Sequence, residues 1–188
     1  MKKIVFLFII LFSHLAQATW VYFDLGNTLV DTTDFTKVDY YKNSYNTLKQ
    51  LKLYGYQIGL ISNIPEDWGS NYNEKLNRLK AEVNNNWVGA KPFDWAIFDE
   101  IIISMKTGER KPALFMFQQA MDLGSNCPML FVGENQTEID AARQVGMAAH
   151  LVNTKDKNPQ YLKAADVADY LWLNAPTKNP FCPSLKRK

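Results

Sequence analysis

Four short stretches of this chain place charge-handling groups at fixed points. In "VYFDLGNTLVDT", residues 21–32, an apolar run meets Asp24, and Gly26, Asn27 and Thr28 follow. "IGLISN" ends on Ser62 and Asn63, Lys111 stands in "GERKPALFMF", and Glu134 and Glu138 lie four apart in "GENQTEID". Asp24, Glu134 and Glu138 form a hard, all-oxygen set of the kind that suits Mg2+. The chain has two histidines, His14 and His150, so no cluster competes for a softer metal, and His150 reads as structural. Lys111 and Ser62 make the opposite side of such a site. An ammonium neutralises phosphate charge, and a hydroxyl with neighbouring backbone N–H groups donates hydrogen bonds to it. A carboxylate between a metal and a lysine can carry phosphoryl transfer, with Asp24 as the attacking group. Each residue alone has a duller use: Asp24 as a cap, Ser62 in a turn, Lys111 as surface charge. Their order along the chain carries the inference.

The elements that must position these groups alternate. "TWVYFD", "YQIGLISN", "AIFDEIIIS", "PMLFVG" and "AAHLVN" read as strands. Between them, "DYYKNSYNTLKQLKLYG" has helical spacing and stops at Gly55, and "NYNEKLNRLKAEVNNNW" is a polar helix. "PALFMFQQAMDLG" reads as a helix from Pro112 to Gly124, "TEIDAARQVG" as one ending at Gly146, and "KNPQYLKAADVADYLWL" as a helix running toward a short strand. Such alternation predicts an α/β fold, a three-layer sandwich with a central parallel sheet. Sheets of this kind bind ligands at the carboxyl ends of their strands. Asp24, Ser62-Asn63, Ser104 and Gly133-Glu134 stand at those ends.

A length of 188 residues, 47% of them hydrophobic, fits one domain with a full core. "MKK", the apolar run "IVFLFIILF" and Ala16-Gln17-Ala18 have the layout of a secretory signal cleaved after Ala18. The expected organisation is a leader at 1–18, an α/β domain at 19–175 and a tail at 176–188, with export to a periplasmic or extracellular space. Of 21 basic and 19 acidic residues, Lys2 and Lys3 leave with the leader, so the mature chain is formally neutral. That excludes a basic nucleic-acid-binding face, and no membrane attachment is expected after cleavage. Cys127 and Cys182 are either a disulfide stapling the tail or two thiols.

At this level of detail the sequence resembles the haloacid dehalogenase-like (HAD) superfamily. "VYFDLGNTLVDT" resembles its first motif, "IGLISN" its second, "GERKPALFMF" its third, and "LFVGENQTEIDAARQVGM" its fourth. The resemblance runs from Val21 to about Val152. It implies a Rossmann-like fold, an aspartyl-phosphate intermediate and Mg2+. By position, Asp24 would be nucleophile and metal ligand, and Gly26 would offer its backbone carbonyl to the metal. Glu134 would ligate the metal, and Glu138 would support it directly or through water. Ser62 and Lys111 would hold the phosphate, with Asn27, Thr28 and Asn63 beside them and Thr28 fixing the first loop.

Two positions depart from the pattern. Gly26 stands where the family's phosphatases usually carry an acid that protonates the leaving group, and losing a general acid removes ~10²–10⁴ in rate. Glu134 stands where Asp is usual, which shifts the carboxylate. No large lid fits in the first loop. The stretch "NNNWVGAKPFDW" is either a short flap or a loop whose tryptophans pack on the core, and packing is the preferred reading. The leading expectation is an exported phosphohydrolase acting on an unidentified phosphorylated substrate. A catalytically impaired binding protein is the alternative, and a 2-halo acid dehalogenase the third.

Overall fold

The computed structural model describes residues 19–125, 127–155 and 158–176. In chain order they form β1 (Trp20–Phe23), β2 (Val30–Asp31), β3 (Asp39–Tyr40), α1 (Ser44–Leu53), β4 (Gln57–Ser62) and α2 (Tyr72–Asn85). These lead to β5 (Glu100–Ile103), α3 (Phe115–Leu123), β6 (Leu130–Gly133), α4 (Gln136–Gln144), β7 (Ala148–Leu151) and α5 (Val167–Asn174). Five strands make one sheet in the order β5-β4-β1-β6-β7, every pairing parallel. The chain builds outward from β1 to β5, then returns to β1's other side with β6. That reversal opens a crevice at the carboxyl ends of β1 and β6, the usual ligand position in open α/β sheets.

The sheet is apolar on both faces, as a parallel sheet under two helical layers must be. Val21, Phe23, Leu60, Ile103 and Val132 face α1, α2 and α5 through Leu48, Leu79 and Leu171. Tyr22, Ile61, Ile102, Phe131 and Ala149 face α3 and α4 through Phe117, Met121 and Ile139. The alternation of these two sets along each strand is the period of two that fixes register. Tyr22 lies opposite Gly59, where a Cβ would come within 2.1 Å of its ring, so the glycine makes room for the aromatic. Gly55, at φ 85°, ends α1 as expected, with Tyr56 N–H returning to Leu51 O at 3.1 Å.

The differences from expectation are local. The third strand is shorter, because Trp95–Ile97 forms a 3-10 turn before Glu100. The third helix starts at Phe115 rather than Pro112, since the backbone of Lys111 is held by Asn63 and Ala113 closes a turn on Arg110. Residues 158–163, which contain Pro159, are not helical; the helix is confined to α5, and no strand follows it among the described residues. The antiparallel pair β2–β3 was not foreseen, being only two residues a side. Cys127 is buried and disulfide-bonded. Cys182, the expected leader and the tail from residue 177 lie outside the described residues. Among the described residues no helix is long and apolar enough to cross a membrane.

Candidate active site

Asp24 follows β1 directly, and its N–H donates to Val132 O on β6 at 2.9 Å. The ladder therefore holds the residue in the crevice. Beyond it the chain coils tightly: Leu29 N–H returns to Leu25 O at 2.9 Å and Asn27 N–H reaches Val30 O at 2.7 Å. Asn27 takes the left-handed region, φ 54°, which asparagine tolerates better than most residues. Leu25 and Leu29 are buried and anchor the coil from below.

Lys111 arrives from a distant loop. Asn63 receives Lys111 N–H on its Oδ1 at 2.7 Å and donates Nδ2 to Lys111 O at 3.0 Å. This two-point grip aims the side chain into the crevice, where Nζ lies 2.5 Å from Asp24 Oδ1 and 2.8 Å from Glu138 Oε2. The contact with Glu138 is a close, buried ion pair. Burial pulls the ammonium's pKa down, but Asp24 and Glu138 outweigh burial and hold it above its ordinary value. Glu138 sits in the first turn of α4, whose start is capped by the Asn135 side chain accepting from Thr137 N–H at 3.0 Å.

Glu134 lies on the other side. Thr28 Oγ1 donates to Glu134 Oε2 at 2.6 Å and lies 3.4 Å from Asp24 Oδ2, so one hydroxyl spans the two carboxylates. Burial, then the charge of Asp24, push Glu134 up to about 7, against the pull of Thr28. Burial first, with Asp24 adding, also raises Glu138, against the pull of Lys111. One ammonium thus meets two carboxyl groups, with Glu134 joined to Asp24 through Thr28. Ser62 closes β4 and is buried beside this edge.

No family model matches the chain, and no curated protein does. Solved structures do match. An uncharacterised protein from Listeria monocytogenes serotype 4b is 19% identical with a TM-score of 0.56, covering 82% of this chain and 97% of its own. A HAD-superfamily hydrolase from Ehrlichia chaffeensis is 16% identical with a TM-score of 0.52, covering 84% and 97%. D,D-heptose 1,7-bisphosphate phosphatase from B. bronchiseptica, complexed with magnesium and phosphate, is 15% identical with a TM-score of 0.51, covering 71% and 79%. The chain has the HAD-like fold.

Within this HAD-like frame several of the expected site residues have protein partners. Glu138, expected at the metal, is joined to Lys111. Accordingly, among the described residues no three carboxylate, imidazole or thiolate side chains stand together as a ready metal site. Asp24 and Glu134 still fit Mg2+, which commonly takes one or two carboxylates and completes its shell with water and substrate phosphate. The side chain of Asn63 is spent on the Lys111 backbone, and Asn27 Oδ1 on Thr32, accepting from its N–H at 3.2 Å and its hydroxyl at 3.0 Å. Ser104 is a fastening, its hydroxyl accepting from Ile64 N–H at 3.0 Å. His150 is structural as read, with Nε2 3.3 Å from Gln160 O and its ring edge-on to Tyr170. Trp87 and Trp95 pack with Tyr40 and Phe93, their ring centroids 4.9 and 4.4 Å from Tyr40 and Phe93 respectively.

Tyr161 was missed. Its hydroxyl donates to Thr28 O at 2.5 Å and so ties the segment before α5 to the loop after Asp24. A tyrosine in a stretch that reads as helix carries no sequence signal of such a contact.

Proposed function

We propose that this chain is an exported, Mg2+-dependent phosphohydrolase in which Asp24 attacks phosphorus and becomes transiently phosphorylated. The observation that supports it most is the arrangement around Asp24: a buried carboxylate fixed by Lys111 on one oxygen, with Glu134 shared through Thr28 on the other. Lys111 orients Asp24 and offsets the charge of an incoming phosphate. Asp24 and Glu134 would hold Mg2+, which when bound supplies charge neutralisation at the transferring phosphoryl group. Thr28 keeps the two carboxylates in register, and Asn63 keeps Lys111 in reach. The magnesium and phosphate carried by the B. bronchiseptica phosphatase of the same fold support this assignment.

The direct test is hydrolysis of a chromogenic phosphate ester by the mature protein with and without Mg2+, beside Asp24→Asn. Turnover that needs Mg2+ and falls to background in Asp24→Asn is expected. Equal rates for both proteins sink the reading. A binding protein without turnover is the second reading, favoured by Gly26, which brings no acid to the site.

A further inference from the structure

The proton inventory of the crevice limits which substrates the site can serve. A Cβ added at Gly26 would lie 3.1 Å from Thr32 Oγ1, so that hydroxyl occupies the space an acidic side chain would enter. Thr32 donates its proton to Asn27 Oδ1 at 3.0 Å, and both groups are neutral. The Thr28 proton goes to Glu134 at 2.6 Å. The Asn63 amide is committed to Lys111 O at 3.0 Å. Lys111 is an ammonium clasped by two carboxylates, a poor source of a proton. Asp31, the next acid along the loop, accepts from Thr33 N–H at 3.0 Å and from its hydroxyl. Asp24 and Glu134 are the groups assigned to phosphorus and the cation. Among the described residues of these loops, the protons of Thr28, Thr32, Asn63 and Lys111 are therefore already committed to protein acceptors.

We infer that the substrate carries its phosphoryl group on an oxygen that leaves as a stable anion at neutral pH: an acyl phosphate, a phosphoanhydride or an aryl phosphate, and not an alkyl phosphate. This rests on the phosphohydrolase reading and names its substrate class. In the first step an Asp24 Oδ–P bond forms while the P–O bond to the leaving group breaks. The electron pair of that bond stays on the leaving oxygen, and the protein gives up no proton. In the second step water attacks phosphorus, the Asp24 carboxylate departs with its electron pair, and the water proton ends on the released phosphate. The loose transition state of phosphoryl transfer puts most of its charge change on the leaving oxygen, so an unassisted site feels that oxygen's basicity in full.

The test is a series of substituted phenyl phosphates of similar shape, with acetyl phosphate and glycerol phosphate at the extremes, all with Mg2+. Wild type should lose roughly tenfold in kcat/KM per unit rise in leaving-group pKa, the steepness expected without general acid catalysis. Gly26→Asp combined with Thr32→Ala, which clears the space, should raise glycerol phosphate turnover relative to acetyl phosphate turnover by ~10² or more within the same variant. A shallow dependence in wild type, or an equal gain by the double variant on every substrate, overturns the inference and leaves the phosphohydrolase reading standing. Acetyl phosphate turnover that is the same in wild type and Asp24→Asn removes that reading and the inference with it.

Discussion

Lys75 and Lys111 are both buried, and both reach the loops at the carboxyl edge of the sheet. Lys75 donates to two backbone carbonyls, Pro65 O at 3.2 Å and Glu66 O at 2.6 Å. It closes the loop after β4 with neutral acceptors, and a lysine so placed is a brace. Lys111 instead meets Asp24 and Glu138, with Glu134 close by through Thr28. There the negative charge exceeds what one ammonium can cancel, in a place where burial makes excess charge costly. The crowding holds Glu134 and Glu138 above the ordinary carboxylate range, a perturbation characteristic of functional sites. Burial of a lysine therefore says little about function; the charge of its partners separates the two.

The comparison can be broken by replacing each lysine. Lys111→Met leaves Asp24 and Glu138 buried without their counter-ion, so a loss of about 3–5 kcal/mol in unfolding free energy is expected, together with loss of Asp24-dependent turnover. Lys75→Met should cost about 1–3 kcal/mol by stranding two carbonyls, with kcat per folded molecule unchanged. Denaturant unfolding and kinetics on both variants give the answer, and a Lys75 variant as inactive as the Lys111 variant would erase the distinction.

A smaller effect follows from pH. Glu134 is pushed up from 4.5 to about 7 in the fold, so its protonated form is the one folding favours. Its contribution to stability is full below about pH 4.5 and is lost as pH rises through about 7, and the raised Glu138 acts in the same sense. Mg2+ requires the carboxylates ionised. Its stabilisation should therefore be slight at pH 5 and grow through pH 7 to 8, read as the Mg2+-induced rise in Tm at each pH. An equal rise at pH 5 and pH 8 would place the ion elsewhere.

The smallest effect is expected at Tyr161. Tyr161→Phe keeps the ring and removes only the bond to Thr28 O, about 1 kcal/mol. If that bond positions the loop after Asp24, kcat or Mg2+ affinity should fall by about fivefold while KM for substrate holds. A change confined to Tm would make Tyr161 a brace like Lys75.

The acid at the end of β1, the glycine two residues later and the order of the four motif stretches were legible because they are local. A strand that ends on a carboxylate is written in consecutive residues. The pairing of Glu138 with Lys111 was not legible, because α4 and the loop before α3 meet only after the sheet has formed. The spacing of Glu134 and Glu138 put both on one side of a helix start, yet it could not say that a lysine would draw one of them away. The same holds for Asn63, whose amide could equally have faced a ligand.

What the sequence determined alone was the α/β alternation, the apolar period of its strands and the identity of Asp24 as the charged end of an apolar strand. These follow from the spacing of side chains along a backbone of fixed geometry. The tertiary structure decided which charges share a crevice, that Thr32 fills the space beside Gly26, and that Tyr161 reaches back to Thr28. Those contacts join residues distant in the chain or set by loop conformation. Only the packing of helices on a sheet of defined order brings them within hydrogen-bonding distance.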